Sequence, residues 1–140
     1  MINDLGDSGS IVAYNDSFEK SRIKELASID KENEGKLNSF IDRFVDLADV
    51  FQKGYCYNQK MGGSFSIKSV LPALFPDDPS LNYKNLEDVH KGDEASATYL
   101  ALKDMSEEEY NKKRHSLLKY CELDTYAMVR IYQFLLDIIK

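Results

Sequence analysis

The sequence is poor in cysteine and proline and has no long apolar run. Its 140 residues include two cysteines, Cys56 and Cys121, three prolines and no tryptophan. The cysteines lie far apart in no Cys-x-x-Cys or Cys/His spacing, which favours free thiols and argues against a zinc site. No apolar run approaches the roughly 20 residues that a membrane-spanning helix needs. Residues 1–10 lack the basic and apolar segments of a signal peptide, so we expect a cytoplasmic protein without membrane contact.

Positive charge is also in deficit. The net charge is −6 at pH 7, with 24 acidic and 18 basic residues. A domain that binds nucleic acid mainly through phosphates should present a basic surface, so this balance counts mildly against a pure nucleic-acid-binding module. It is compatible with a nuclease, because bound metal ions reverse the local charge of a carboxylate cluster.

The apolar residues of the first third predict two strands joined by helices. Residues 10–14, SIVAY, predict a short buried strand, because Ile and Val favour the pleated backbone. Asp16 or Ser17 can cap the next helix, which ends near residue 30. A second strand is predicted at about residues 43–47. This order implies a parallel pair, and parallel strands normally belong to larger sheets, so we expect a helix-rich α/β domain that is one piece of a larger fold.

Helical patterns dominate the rest of the chain. A glycine-rich loop over 53–66 precedes a short helix that contains Pro72, and another helix begins near Gly92. Ser106 and Glu109 form a capping-box pattern at the start of a long final helix, in which we expect a break near residues 124–125. The predicted core face of that helix comprises Leu117, Cys121, Met128, Ile131, Leu135 and Ile138.

Two short patterns carry candidate chemistry. Asn15-x-x-Phe18-Glu19 follows the first strand, and Tyr120-x-x-x-Asp124 places a phenol and a carboxylate one helical turn apart on one face. A carboxylate so placed can bind a divalent metal while the phenol orients the water that the metal activates. Structural alternatives stay open: Glu19 can complement the helix dipole, Tyr120 can be a core residue, and Asp124 can cap a restarting helix.

In this order the two patterns resemble motifs of the RNase H-like DEDD exonucleases, the fold of polymerase proofreading domains and RNase D. Those enzymes hold two metal ions with an Asp-x-Glu strand, an Asn-x-x-Phe-Asp element and a Tyr-x-x-x-Asp element. The resemblance implies a tyrosine-subclass 3'-5' exonuclease of DNA or RNA that uses Mg²⁺ or Mn²⁺. Glu19 and Asp124 would be metal ligands, and Tyr120 would position the attacking water. Asp46 is not part of either motif and is added as a candidate third ligand. Glu19 stands where the family usually has Asp.

Over residues 9–136 the chain resembles, more closely, an uncharacterised prokaryotic domain family of unknown function that is usually part of longer proteins. Segments that carry this likeness include YNDSFEKSRIKELA, GGSFSIKSVLPALFP and LLKYCELDTYAMV. Nothing before Ile11 supplies the Asp-x-Glu strand. We therefore expect residues 1–140 to be a single domain that forms the C-terminal part of a nuclease domain lacking its first strands. We expect little hydrolysis from this piece alone, and metal binding only in the complete domain.

A non-enzymatic alternative remains at this point. The chain would then be a catalytically degenerate RNase H-like domain that serves as a protein- or nucleic-acid-interaction module. The Glu19 substitution and the acidic net charge favour this alternative. In either case the unpaired N–H and C=O groups along residues 10–14 would invite pairing between copies, so we expect a homo-oligomer formed through the exposed sheet edge.

Overall fold

The computed structural model describes residues 1–86 and 88–140. The chain divides into two compact units, Met1–Tyr57 and Asn58–Lys140. The elements of the first unit are α1 (Ile2–Leu5), β1 (Ile11–Ala13), α2 (Ser17–Ile29), α3 (Glu34–Ile41), β2 (Phe44–Asp46) and α4 (Ala48–Gln52). Those of the second are α5 (Ile67–Leu74), α6 (Gly92–Ala101) and α7 (Glu107–Ile138), with short 3-10 turns between them. The predicted helix-rich α/β class, with two short parallel strands, is confirmed.

Strands β1 and β2 form the parallel pair that the sequence predicts. Ile11 lies opposite Phe44 and Ala13 lies opposite Asp46. Because side chains alternate along a strand, Ile11 and Phe44 pack against the core of the unit, whereas Val12 and Val45 are exposed. The buried centre of that core consists of Ile23, Ala27, Leu37 and Phe40. Helices α2 and α3 each contribute two of these residues, so the strand pair is supported by the helices that connect its strands.

The N-terminal segment is ordered, which the sequence analysis did not predict. Residues 2–5 form α1, and Ile2 and Leu5 pack against the core. The Arg43 guanidinium holds the segment through four bonds to backbone carbonyls: Nε donates to Gly9 at 2.8 Å, Nη1 to Gly6 at 2.9 Å, and Nη2 to Leu5 at 2.8 Å and Ser8 at 2.7 Å. These bonds explain why a largely polar stretch has a defined path.

Helix α7 runs for 32 residues and begins with the predicted capping box. The break expected near residues 124–125 is absent. The Thr125 hydroxyl donates to the Cys121 carbonyl at 3.1 Å, a bond back along the helix that accommodates threonine inside it. The predicted core face is only partly observed: Ile131 is buried and Leu117, Met128 and Leu135 are half-buried, but Cys121 and Ile138 are exposed. The buried residues of α7 are Ser116, Tyr120, Leu123, Ala127 and Ile131.

Helices α5 and α6 both contact α7 within the second unit. Ser66 precedes α5 at the N-cap position, and Pro72 lies inside that helix. Both cysteines are free thiols, as predicted. In the part of the chain that the structure describes, no helix is both long and apolar enough to cross a bilayer.

Candidate functional site

Tyr120 and Asp124 lie on the buried side of α7, one turn apart. Tyr120 is 8% exposed and Asp124 is half-buried. Burial, together with the negative charge of Asp124 and a hydrogen bond to it, raises the pKa of the Tyr120 phenol to about 12. The phenol is therefore protonated at neutral pH. The two residues of the predicted pair are brought together as the helical spacing requires.

A second phenol reaches the same carboxylate. The Tyr83 hydroxyl donates to Asp124 Oδ1 at 2.6 Å, and Tyr83 is only 4% exposed. Its ring packs edge to face against the Tyr120 ring, with centroids 5.9 Å apart. Burial and the bond to Asp124 raise the pKa of Tyr83 well above its usual range. No sequence pattern indicates this residue, because Tyr83 lies in a 3-10 turn, 41 residues from Asp124, where no periodicity predicts the direction of its side chain.

Lys68 completes the cluster from the first turn of α5. Its Nζ lies 5.1 Å from the Tyr83 ring centroid and 5.4 Å from that of Tyr120, and it donates to the His90 carbonyl at 2.6 Å. Among the described residues no carboxylate lies within ion-pair distance of this ammonium group. The two aromatic rings therefore provide much of its electrostatic stabilisation.

The carboxylate of Asp124 retains capacity for a ligand. A carboxylate has about four acceptor positions, and the Tyr83 phenol occupies one of them. Such a group fits one place in the oxygen-rich coordination shell of Mg²⁺ or Mn²⁺. Within residues 1–86 and 88–140, no group of three or more His, Cys, Asp or Glu side chains is arranged to hold a metal ion. Asp124 can thus supply one ligand of a site, and other ligands would have to join it.

Asp46 is engaged in a different way, at the junction between β1 and α2. Its Oδ1 accepts the backbone N–H groups of Asn15 at 2.7 Å and Ala48 at 2.9 Å, and its Oδ2 accepts that of Asp16 at 3.1 Å. Asn15 has a left-handed φ of 62°, which turns the chain away from the strand. These bonds favour a structural role for Asp46. Metal binding by Asp46 stays a prediction.

The first turn of α2 carries the other predicted ligand. Glu19 is exposed, and no hydrogen bond or ion pair to its carboxylate is present in the described part of the chain. Asp16 occupies the N-cap position but makes no side-chain capping bond there; its carboxylate instead pairs with Lys20 at 2.6 Å. Glu19 is compatible with stabilisation of the helix dipole and with a ligand role, and the latter stays a prediction.

Comparison with known proteins supports a relationship to proteins of unknown function. Residues 1–66 match the model of a family described as "Domain of unknown function (DUF2779)". The chain is 35% identical over 141 residues to "Uncharacterized protein MG366" of Mycoplasma genitalium, an alignment that covers 94% of this chain and 21% of the relative. It is 32% identical over 145 residues to "Uncharacterized protein UU173" of Ureaplasma parvum, with coverage of 93% and 21%.

The chain therefore spans about one fifth of the length of the curated relatives that it matches. No solved structure is significantly similar to it. The expected similarity to a family of unknown function is confirmed. The resemblance to RNase H-like nucleases stays a prediction.

Proposed function

We propose that this chain supplies part of the active site of a divalent-metal-dependent nuclease, of the DEDD 3'-5' exonuclease type, within a longer protein. Asp124 binds Mg²⁺ or Mn²⁺, and Tyr120 positions the attacking water. A bound divalent ion would stabilise charge on the phosphodiester and lower the pKa of a coordinated water. Asp46 is left out of this set, because backbone N–H groups occupy three of its acceptor positions.

The observation that carries the proposal is the state of the Asp124 carboxylate. It is half-buried, oriented by the Tyr83 phenol, and still has acceptor positions free. Since its pKa is raised to about 12, Tyr120 is unsuited to act as a general base at neutral pH. Its role is to orient a water through its hydroxyl group.

The experiment is an end-labelled nuclease assay on the full-length protein, with single-stranded DNA and RNA substrates and Mn²⁺. We expect Asp124→Asn to lower kcat by at least about 100-fold and Tyr120→Phe by roughly 10- to 100-fold. Glu122→Gln and Tyr126→Phe are matched controls on exposed positions of α7 and should retain activity. Unchanged activity in Asp124→Asn, or no Mn²⁺-dependent hydrolysis by the full-length protein, would overturn the proposal.

The isolated chain should differ from the full-length protein. A two-metal site needs several carboxylates to balance its dications, and Glu19 and Asp124 alone are too few. We therefore expect residues 1–140 to hydrolyse nucleic acid poorly or not at all. Robust hydrolysis by this chain, abolished by Asp124→Asn, would contradict that expectation.

A second candidate function is a degenerate domain that binds a protein or nucleic acid without catalysis. The structural bonding of Asp46 favours it, since one of the three candidate metal ligands is already occupied by backbone N–H groups. Fluorescence anisotropy with labelled oligonucleotides separates the two functions. Binding that persists in EDTA and is unchanged by Asp124→Asn supports the interaction module, whereas metal-dependent binding that Asp124→Asn weakens supports the nuclease.

A further inference from the structure

A groove runs along one side of α7, outside the cluster around Asp124. It consists of two adjoining cavities of about 290 and 270 Å³, which share Leu86 and Lys119 in their walls. Tyr126 lies in the wall of the first cavity, and His115 lies in the wall of the second. Positions 115, 119 and 126 are four and seven residues apart, so a single face of the helix forms one side of the whole groove.

The charge beside this groove differs from that of the chain as a whole. The chain carries a net charge of −6, yet residues 110–121 contain three lysines, one arginine and one histidine and no acidic residue. Among the described residues, two carboxylates form ion pairs with these cations. Asp88 pairs with Lys113 at 3.3 Å, and Glu122 pairs with Lys119 at 2.8 Å. Because the cations outnumber the carboxylates, this part of α7 attracts anions.

The other end of the groove presents an aromatic ring. Tyr126 is 44% exposed, and its hydroxyl accepts a hydrogen bond from Arg130 at 3.3 Å. Leu86 and Leu123 supply apolar surface in the wall between this ring and Lys119. Exposed aromatic rings stack on nucleobases, and basic grooves follow the phosphate backbone of single strands. A peptide with acidic side chains would match the positive charge but not the ring, so a nucleic acid fits the groove better.

We propose that this groove binds a single-stranded nucleic acid, with a phosphate at Lys119 and His115 and a base stacked on Tyr126. Glu122 lines the same cavity as Tyr126, so its carboxylate opposes the binding of a polyanion. The inference does not rest on nuclease activity, since it needs neither a metal ion nor the Asp124 carboxylate. In a nuclease the groove holds a part of the strand that is not cleaved, and in an interaction module it is the binding site itself.

The test is fluorescence anisotropy of the full-length protein with labelled single-stranded DNA and RNA of about 12 nucleotides, in EDTA and about 50 mM salt. We expect Lys119→Gln to weaken binding by about 3- to 10-fold. The same variant should reduce the slope of log K against log salt by about 0.7, which corresponds to one phosphate contact on a single strand. Tyr126→Ala should weaken binding by roughly 5- to 100-fold, whereas Tyr126→Phe keeps the ring and should bind as the wild type does.

Two further measurements separate binding in the groove from a general change of structure. Glu122→Gln should tighten binding by about 2- to 5-fold, because it removes a negative charge from the groove. Lys119→Gln and Glu122→Gln break the same ion pair, so a purely structural role of that pair would change binding in the same direction in both variants. Photo-crosslinking with an oligonucleotide that contains 5-iodouracil, followed by mass spectrometry, should place the base at Tyr126.

The inference is wrong if the wild type binds neither oligonucleotide, if Lys119→Gln and Glu122→Gln change binding in the same direction, or if the crosslinks avoid α7. It is also wrong if a poly-glutamate peptide binds as tightly as the oligonucleotides and displaces them, since the groove would then be a surface for acidic proteins. None of these outcomes depends on nuclease activity. Whether Asp124→Asn weakens metal-dependent binding still separates the two candidate functions.

Discussion

Replacing Asp46 with alanine removes the acceptor of three backbone N–H groups at once, those of Asn15, Asp16 and Ala48. Hydrogen bonds to a charged group contribute about 1.5–3 kcal/mol when buried. Here water can replace part of each bond, because Asn15 is exposed and the other two sites are only partly buried. A value of roughly 1 kcal/mol for each bond gives a loss of about 3 kcal/mol in the free energy of unfolding.

Urea denaturation of metal-free protein in EDTA measures this loss. With a denaturant slope of about 2 kcal/mol per molar urea, the midpoint should fall by roughly 1.5 M. Amide hydrogen exchange should become faster at residues 15, 16 and 48 in particular. Asp49→Asn is the control, since it affects only an exposed ion pair with Lys53, worth about 0–1 kcal/mol.

Asp46→Asn separates a structural carboxylate from a metal ligand. The amide keeps one oxygen and places an NH₂ group against a backbone N–H donor, so we expect a loss of roughly 1–2 kcal/mol. If Asp46 acted only as a ligand, neutralising it would leave the metal-free protein equally stable or more stable. A change below about 0.5 kcal/mol in both Asp46 variants, with unaltered exchange at the three amides, would refute the structural role.

Two other predictions concern separate parts of the chain. Arg43→Met should release the N-terminal segment and lower stability by about 2–3 kcal/mol, because four bonds to its carbonyls are lost; hydrogen exchange over residues 2–9 measures this, and unchanged protection there would contradict it. The pKa of Tyr120 is raised from 10.0 to about 12, so the folded state holds the phenol proton more tightly than the unfolded state does. The protonated phenol therefore contributes fully to the free energy of unfolding below pH 10, and this contribution is lost as the pH rises towards 12. Urea titrations between pH 9 and 12 should show a smaller fall in stability for Tyr120→Phe than for the wild type. An equal fall in both proteins would contradict the raised pKa of Tyr120.

The sequence predicted those features whose causes are local. Ile11 and Val12 favour a strand, the strand–helix–strand order implies a parallel pair, and Ser106 with Glu109 begins α7; all of these are present. The ordered N-terminus was missed because it depends on Arg43, which contacts carbonyls more than 30 residues away. The core face of α7 was predicted only in part, because apolar residues occur on several sides of the helix and the segments that pack against it decide which of them are buried.

In the candidate site, too, features with a local cause could be predicted from the sequence and features that depend on distant contacts could not. The juxtaposition of Tyr120 and Asp124 follows from helical periodicity alone. Tyr83 and Lys68 join them from a turn and from another helix, and no spacing in the sequence connects these segments. The role of Asp46 was likewise hidden, because its partners are backbone N–H groups that carry no residue identity.

The claim that Asp124 is a metal ligand is tested most directly by iron-mediated cleavage of the full-length protein. Fe²⁺ that occupies a Mg²⁺ site generates hydroxyl radicals with ascorbate and peroxide, and these cut the backbone near the ion. We predict cuts around residues 83 and 120–124, suppressed by excess Mg²⁺ and absent in Asp124→Asn. Cleavage that avoids these segments, or that persists unchanged in Asp124→Asn, would contradict the account.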